Sequence, residues 1–123
     1  MKNAIEELQG VWNVIHVETE GYTLPTTFFK GATMSIRGER FVSIGVGNIY
    51  QGIIYADPCA SPKTLDLQFT AGPDKGRTDR GIYEVNDNEL KICLAIRGKP
   101  RPGKFTAERG TGFAIEKLKR DEN

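Results

Sequence analysis

The chain has 123 residues and a mass of 13.7 kDa, the size of one domain. Its 17 Lys and Arg nearly balance 16 Asp and Glu, which excludes a globally polyanion-binding chain and an acidic tail. Two cysteines exclude a disulfide-dense scaffold, and 38% apolar with 27% charged residues is enough for a self-supporting core.

The first residues, MKNAIEELQGVWNV, carry no long apolar run, and no stretch approaches the ~20 apolar residues of a membrane helix. The expectation is a cytoplasmic protein of bacterial type, with no membrane partner. Cys59 and Cys93 would then be thiols, although a disulfide between them stays open. The charge is uneven: residues 1–62 carry a net −2 and residues 63–123 a net +3. Much of the excess sits in 97–109, where Arg97, Lys99, Arg101, Lys104 and Arg109 face only Glu108.

Asn3 followed by Glu6 has the spacing of a capping box, Ile5 and Leu8 share a face, and Gly10 is a stop, so a short N-terminal helix of about two turns is predicted. From Val11 the period changes to alternation, and 11–19 (VWNVIHVET) reads as a strand. Residues 20–31 read as loop. Strands are predicted over 32–37 and 40–46, joined by Gly38-Glu39, and over 49–56, reached through Gly47-Asn48. Residues 57–62 (DPCASP) are a loop. Residues 64–70 alternate, with Leu65, Leu67 and Phe69 on one face. After the turn cluster 72–76, strands at 80–85 and 89–96 flank Asn86-Asp87-Asn88. Residues 98–110 read as a basic loop, and 111–119 as the last strand. Eight short sequential strands with tight turns predict a single all-β domain over 1–123, an antiparallel meander barrel of about eight strands, with a two-sheet sandwich as the alternative.

Gly10-Val11-Trp12, placed after a short helix and at the head of the first strand, resembles the Gly-x-Trp motif of lipocalins and other calycins. That resemblance implies that Trp12 closes the barrel floor and that a basic side chain near the last strand packs over it. Lys117, Lys119 and Arg120 are the candidates, with Arg120 preferred. LQGVW (8–12), PKTLDL (62–67), GPDKG (72–76), GIYEV (81–85), ELKICLA (89–95), GKPRP (98–102) and LKR (118–120) resemble a family of small lipocalin-like bacterial domains, abundant in planctomycetes, that lack an assigned activity. The chain departs from that pattern over 42–60, where a usually polar hairpin is apolar. The resemblance implies a fold and supplies no catalytic residues.

His16, the single histidine, shares strand parity with Trp12 and Val14 and is expected to point into the barrel as a ligand contact or general base, against an ordinary strand histidine. One histidine excludes a multi-His zinc site, and no metal or cofactor is expected. Cys93 reads as a small structural residue rather than a nucleophile. Asp66, Glu84, Glu89 and Glu116 read as solvated sheet surface rather than an acid–base pair. The rings of Tyr50, Tyr55, Tyr83, Phe41, Phe69, Phe105 and Phe113 read mainly as core, yet a lumen lined by rings suits a small apolar ligand. Tyr83 is the second polar lumen candidate, Phe69 and Tyr55 are candidate lining, and Arg101 is a candidate entrance cation. The basic segment would otherwise be a solvated loop, and a single interleaved aromatic argues against nucleic acid. The expected function is therefore non-enzymatic binding of a small, largely apolar molecule through His16, Tyr83, Phe69, Tyr55 and Arg101, with Gly10, Trp12 and Arg120 closing the barrel. Two alternatives stay open: an interaction or homodimerisation module using the hairpin region between Val42 and Ile54, and a small barrel-pocket enzyme of cyclase, isomerase or hydrolase type.

Overall fold

In the computed structural model, which describes residues 6–45, 47–96 and 98–121, the alternating segments become nine strands. They are β1 (Gly10–Thr19), β2 (Tyr22–Thr23), β3 (Thr33–Arg37), β4 (Arg40–Gly45), β5 (Asn48–Asp57), β6 (Lys63–Ala71), β7 (Thr78–Asn86), β8 (Glu89–Ala95) and β9 (Phe113–Arg120). Consecutive strands pair antiparallel from β3 to β9. Because β1 pairs with both β3 and β9, the sheet closes on itself. Eight strands make the barrel, and β2 adds a short extra pairing on β1. Closure leaves those eight strands without free ladder edges. This arrangement fits the lipocalin-like fold expected from the sequence.

The turns follow their residues. Gly38 sits at φ +62 in the two-residue loop between the paired Arg37 and Arg40. Asp87 sits at φ +55 in the loop closed by Asn86 and Glu89. The β4–β5 hairpin closes at the pair Gly45–Asn48, one residue earlier than the Gly47-Asn48 turn predicted. The N-terminal helix is corrected to a single 3-10 turn, Glu6–Leu8, within the described residues; the Asn3 cap and Ile5 lie outside them. Residues 20–31 hold β2 and a 3-10 turn at Thr26–Phe28.

Two apolar cores result. The first fills the lower half of the lumen with Leu8, Trp12, Ile36, Ile54, Leu65, Tyr83, Leu90 and Leu118 and continues upward through Met34, Phe41, Leu67, Phe69 and Ile92. The second lies outside the barrel. Residues 98–112 fold back across the outer face of β7–β9, so Ile82, Cys93 and Ile115 are covered by Ala107, with Phe105 and Phe113 at the margin. This corrects the reading of a solvated basic loop. Ile82, Cys93 and Ile115 are register partners that make one apolar row across the otherwise polar outward faces of β7, β8 and β9, and the covering segment removes that row from water.

Candidate functional site

The lower end of the barrel is sealed. Trp12 is fully buried, and its Nε1 donates to the Leu8 carbonyl at 2.9 Å. Arg120, the register partner of Trp12 across β1–β9, stacks its guanidinium 4.1 Å from the indole centroid and donates to the carbonyls of Gln9 and Glu7. Such a stack is worth about 0.5–2 kcal/mol. Gly10 adopts φ +121, and a Cβ there would lie 3.2 Å from Arg120 Nη1, so this position has both a backbone and a packing reason to be glycine. Tyr83 points inward and is 1% exposed, but at this sealed end: its hydroxyl donates to Glu7 Oε2 at 3.2 Å, where Lys63 Nζ also binds at 3.1 Å. Burial, then the Glu7 charge, pushes the phenol above its ordinary value.

The upper half is different. Two adjoining cavities of ≈ 250 and ≈ 260 Å3 open there. Phe41, Leu67, Phe69, Ile92 and Leu94 line the first, and Val14, Val17, Leu24, Phe28 and Phe29 the second. Both cavities share Ser43, Tyr50 and Glu116. Ser43 and Tyr50 are direct cross-strand partners on β4 and β5. Glu116 lies on β9, four strands from β5 in either direction round the barrel, so it faces them from the opposite wall. Among the described residues, none of these three side chains has a hydrogen-bond partner. Phe41 and Phe69 meet edge to face at 5.5 Å, and Tyr50 and Phe69 at 6.0 Å, forming an aromatic wall.

Glu116 has Val17 and Ile92 as its register neighbours, and burial pushes its carboxyl above the usual carboxylate range. This corrects its assignment to solvated surface: Glu116 has the parity of the fully buried Leu118, and it is Ile115 that faces outward beneath residues 98–112. At the rim, Asp79 is 4% exposed and accepts from Arg77 Nε at 3.3 Å, while Arg77 Nη2 also donates to Asp74 at 3.0 Å. Burial raises the Asp79 carboxyl, with Arg77 opposing the shift. Asp74, Asp79 and Arg77 all line the first cavity.

The residues expected at a ligand site divide. Phe69 lines the first cavity. His16 does not point inward: a β-bulge at Ile15, between the register pairs Val14–Leu118 and His16–Lys117, flips the parity of β1. Val17 then faces the lumen, and His16 lies on the outer face, 2.8 Å from Glu18 Oε2. Tyr55 is also corrected to the outer face, 52% exposed, with its hydroxyl on Gln68. The inner positions of β5 belong to Tyr50, Gly52 and Ile54. Arg101 is corrected from an entrance cation to a clasp. Its Nη1 donates to the carbonyls of Leu65 and Gly81 at 3.2 and 2.9 Å, and its Nη2 lies 2.9 Å from Asp66 Oδ1. Arg97 lies outside the described residues.

Both cysteines are free: Cys59 is exposed, while Cys93 is buried with its Sγ directed at the Thr106 carbonyl, 3.4 Å away. Burial raises the Cys93 thiol's pKa, the opposite of an activated nucleophile. Among the described residues, no group of three or more His, Cys, Asp or Glu is placed to hold a metal, and no helix is long and apolar enough to cross a membrane. No protein-family model, curated protein or solved structure matches the chain.

Proposed function

We propose that the protein is a binding domain for a small, largely apolar molecule held in the upper half of its barrel. The observation that carries this reading is the pair of adjoining cavities with apolar walls and three convergent, unpartnered polar side chains, Ser43, Tyr50 and Glu116. Concave apolar space with a few placed polar groups is the usual form of a small-molecule site. A ligand burying about 200–300 Å2 of apolar surface gains roughly 5–8 kcal/mol of gross transfer free energy, from which the cost of immobilising it is subtracted. Rings and aliphatic side chains would supply that burial, and the three polar groups would orient the ligand.

The test is a titration with N-phenyl-1-naphthylamine, a neutral apolar fluorophore, together with native mass spectrometry of protein purified from cells. Saturable 1:1 uptake is expected for the wild type, lost in Ala114→Phe, which fills the cavity wall, and retained in Tyr55→Ser on the outer face. Absence of saturable uptake, or uptake unchanged by Ala114→Phe, overturns the reading.

An interaction module is the second reading. Ile44 and Ile49 are direct cross-strand neighbours, 47% and 53% exposed, within the apolar hairpin. Sedimentation across a hundredfold concentration range separates the two: a strict monomer removes homodimerisation.

A further inference from the structure

We infer that the ligand of the upper cavity is an apolar molecule carrying a protonated amine, its ammonium seated between the Glu116 carboxylate and the aromatic wall of Tyr50, Phe41 and Phe69. This deepens the binding reading above and rests on it.

The chemistry of the lining selects the ligand's polar end. Three carboxyl groups line the first cavity, Asp74, Asp79 and Glu116, against one cation, Arg77. That cation is already engaged, with Nε on Asp79 and Nη2 on Asp74. A carboxylate or phosphate ligand would therefore meet excess negative charge and find no unengaged cation among the described lining residues. A neutral alcohol could hydrogen-bond, but would bring no counter-charge to the Glu116 carboxyl. An ammonium answers both. It supplies the counter-charge that Glu116 lacks, and its N–H groups can donate to the Glu116 carboxylate, while the Ser43 and Tyr50 hydroxyls, which both donate and accept, can complete its shell.

The opposite wall suits the same ligand. Tyr50, Phe69 and Phe41 form a connected edge-to-face cluster on β4–β6, across the lumen from Glu116. Ring faces attract a cation most strongly where it is desolvated. A carboxylate on one wall with rings on the other is a complementary enclosure for an ammonium with an apolar tail. The rest of the apolar lining would take the tail, and the second cavity, with Leu24, Phe28 and Phe29, gives it room.

The test uses three ligands of matched size, 4-phenylbutylamine, 4-phenylbutanol and 4-phenylbutanoate, competing against N-phenyl-1-naphthylamine on the full chain at pH 7.5. The amine is expected to bind at least tenfold more tightly than the alcohol, and the carboxylate most weakly. Glu116→Gln is expected to bring the amine to within about twofold of the alcohol while leaving the alcohol's dissociation constant unchanged. The wild-type ranking alone decides the matter if that variant fails to fold. If amine and alcohol compete equally, or the carboxylate binds best, the ammonium assignment is overturned while the apolar-binding reading stands. If Glu116→Gln folds and keeps the amine preference, the assignment to Glu116 is overturned. If the fluorophore itself never binds, both the binding reading and the assignment resting on it fall.

Discussion

The two halves of the lumen are built from the same alternating strands, yet they treat polar groups in opposite ways. In the lower half three polar groups drawn inward among the described residues are matched: the Trp12 N–H to Leu8, the Arg120 guanidinium to Gln9 and Glu7, the Tyr83 hydroxyl to Glu7. In the upper half Ser43, Tyr50 and Glu116 face the lumen with no hydrogen-bond partner among the described residues. These three side chains are half-buried, so their open hydrogen-bonding capacity costs less than the order of 1–3 kcal/mol expected for a fully buried group. A fold that satisfies such groups at one end and leaves them open at the other divides its interior into a structural plug and a receptive cup.

The largest expected effect lies in the plug. Trp12→Ala removes a fully buried ring, its hydrogen bond to Leu8 and the platform beneath Arg120. A loss of about 3–5 kcal/mol is expected in urea denaturation, on the scale of buried aromatic truncations. A loss below 1 kcal/mol would show that the lower half is not the stabilising end.

Arg101→Ala should cost less, about 1.5–3 kcal/mol, because it deletes charge-assisted hydrogen bonds to the Leu65 and Gly81 carbonyls and the ion pair with Asp66 without opening the barrel. Its more specific consequence concerns residues 98–112, which cover Cys93. The wild type should show one fast-reacting thiol toward a disulfide reagent, Cys59, and the variant two. A second thiol still protected in the variant would mean that the covering segment is held by its apolar contacts alone.

The smallest stability effect, and the one of opposite sign, belongs to the cup. Glu116→Leu should stabilise the protein by up to about 1 kcal/mol at pH 8, since it replaces a half-buried, unpartnered carboxyl on an apolar wall. The sign of its pH dependence follows from burial. Because the folded state raises the carboxyl's pKa, the protonated form's contribution is fully present below the ordinary carboxylate range and is lost as pH rises through the raised value. The leucine variant does not titrate there, so its advantage should shrink toward pH 4. Chemical denaturation at both pH values checks it; an advantage that grows on acidification would contradict the assigned environment of Glu116.

Much of the plug was legible in the sequence because its residues keep strict parity. Trp12 lies near the start of β1 with alternation intact, and Leu65 marks the inner face of β6 in an alternation that runs on through Leu67 and Phe69 into the cup. The cup was harder to read for three physical reasons. The bulge at Ile15 reverses the parity of β1, and an isoleucine inside a β-branched run gives no local sign of it, so strict alternation puts His16 on the wrong face. Strand β5 is apolar on both faces, which hides whether Tyr50 or Tyr55 points inward; Gly52 resolves it in three dimensions, since a Cβ there would fall 2.0 Å from the Gln68 carbonyl oxygen and 2.8 Å from Phe41 Cε1. Residues 98–112 build a second core outside the barrel, so outward Ile115 reads like lumen lining and inward Glu116 like surface. The parity Glu116 shares with Leu118 was the available signal.

The contrast between the two halves is tested most directly by a 1H–15N NMR titration with 4-phenylbutylamine. Saturable shifts are expected at Ser43, Tyr50, Phe69 and Glu116, with the Trp12 indole and the Tyr83 amide nearly unmoved. Shifts concentrated at the Trp12 indole, on the outer face around Tyr55, or nowhere would contradict it.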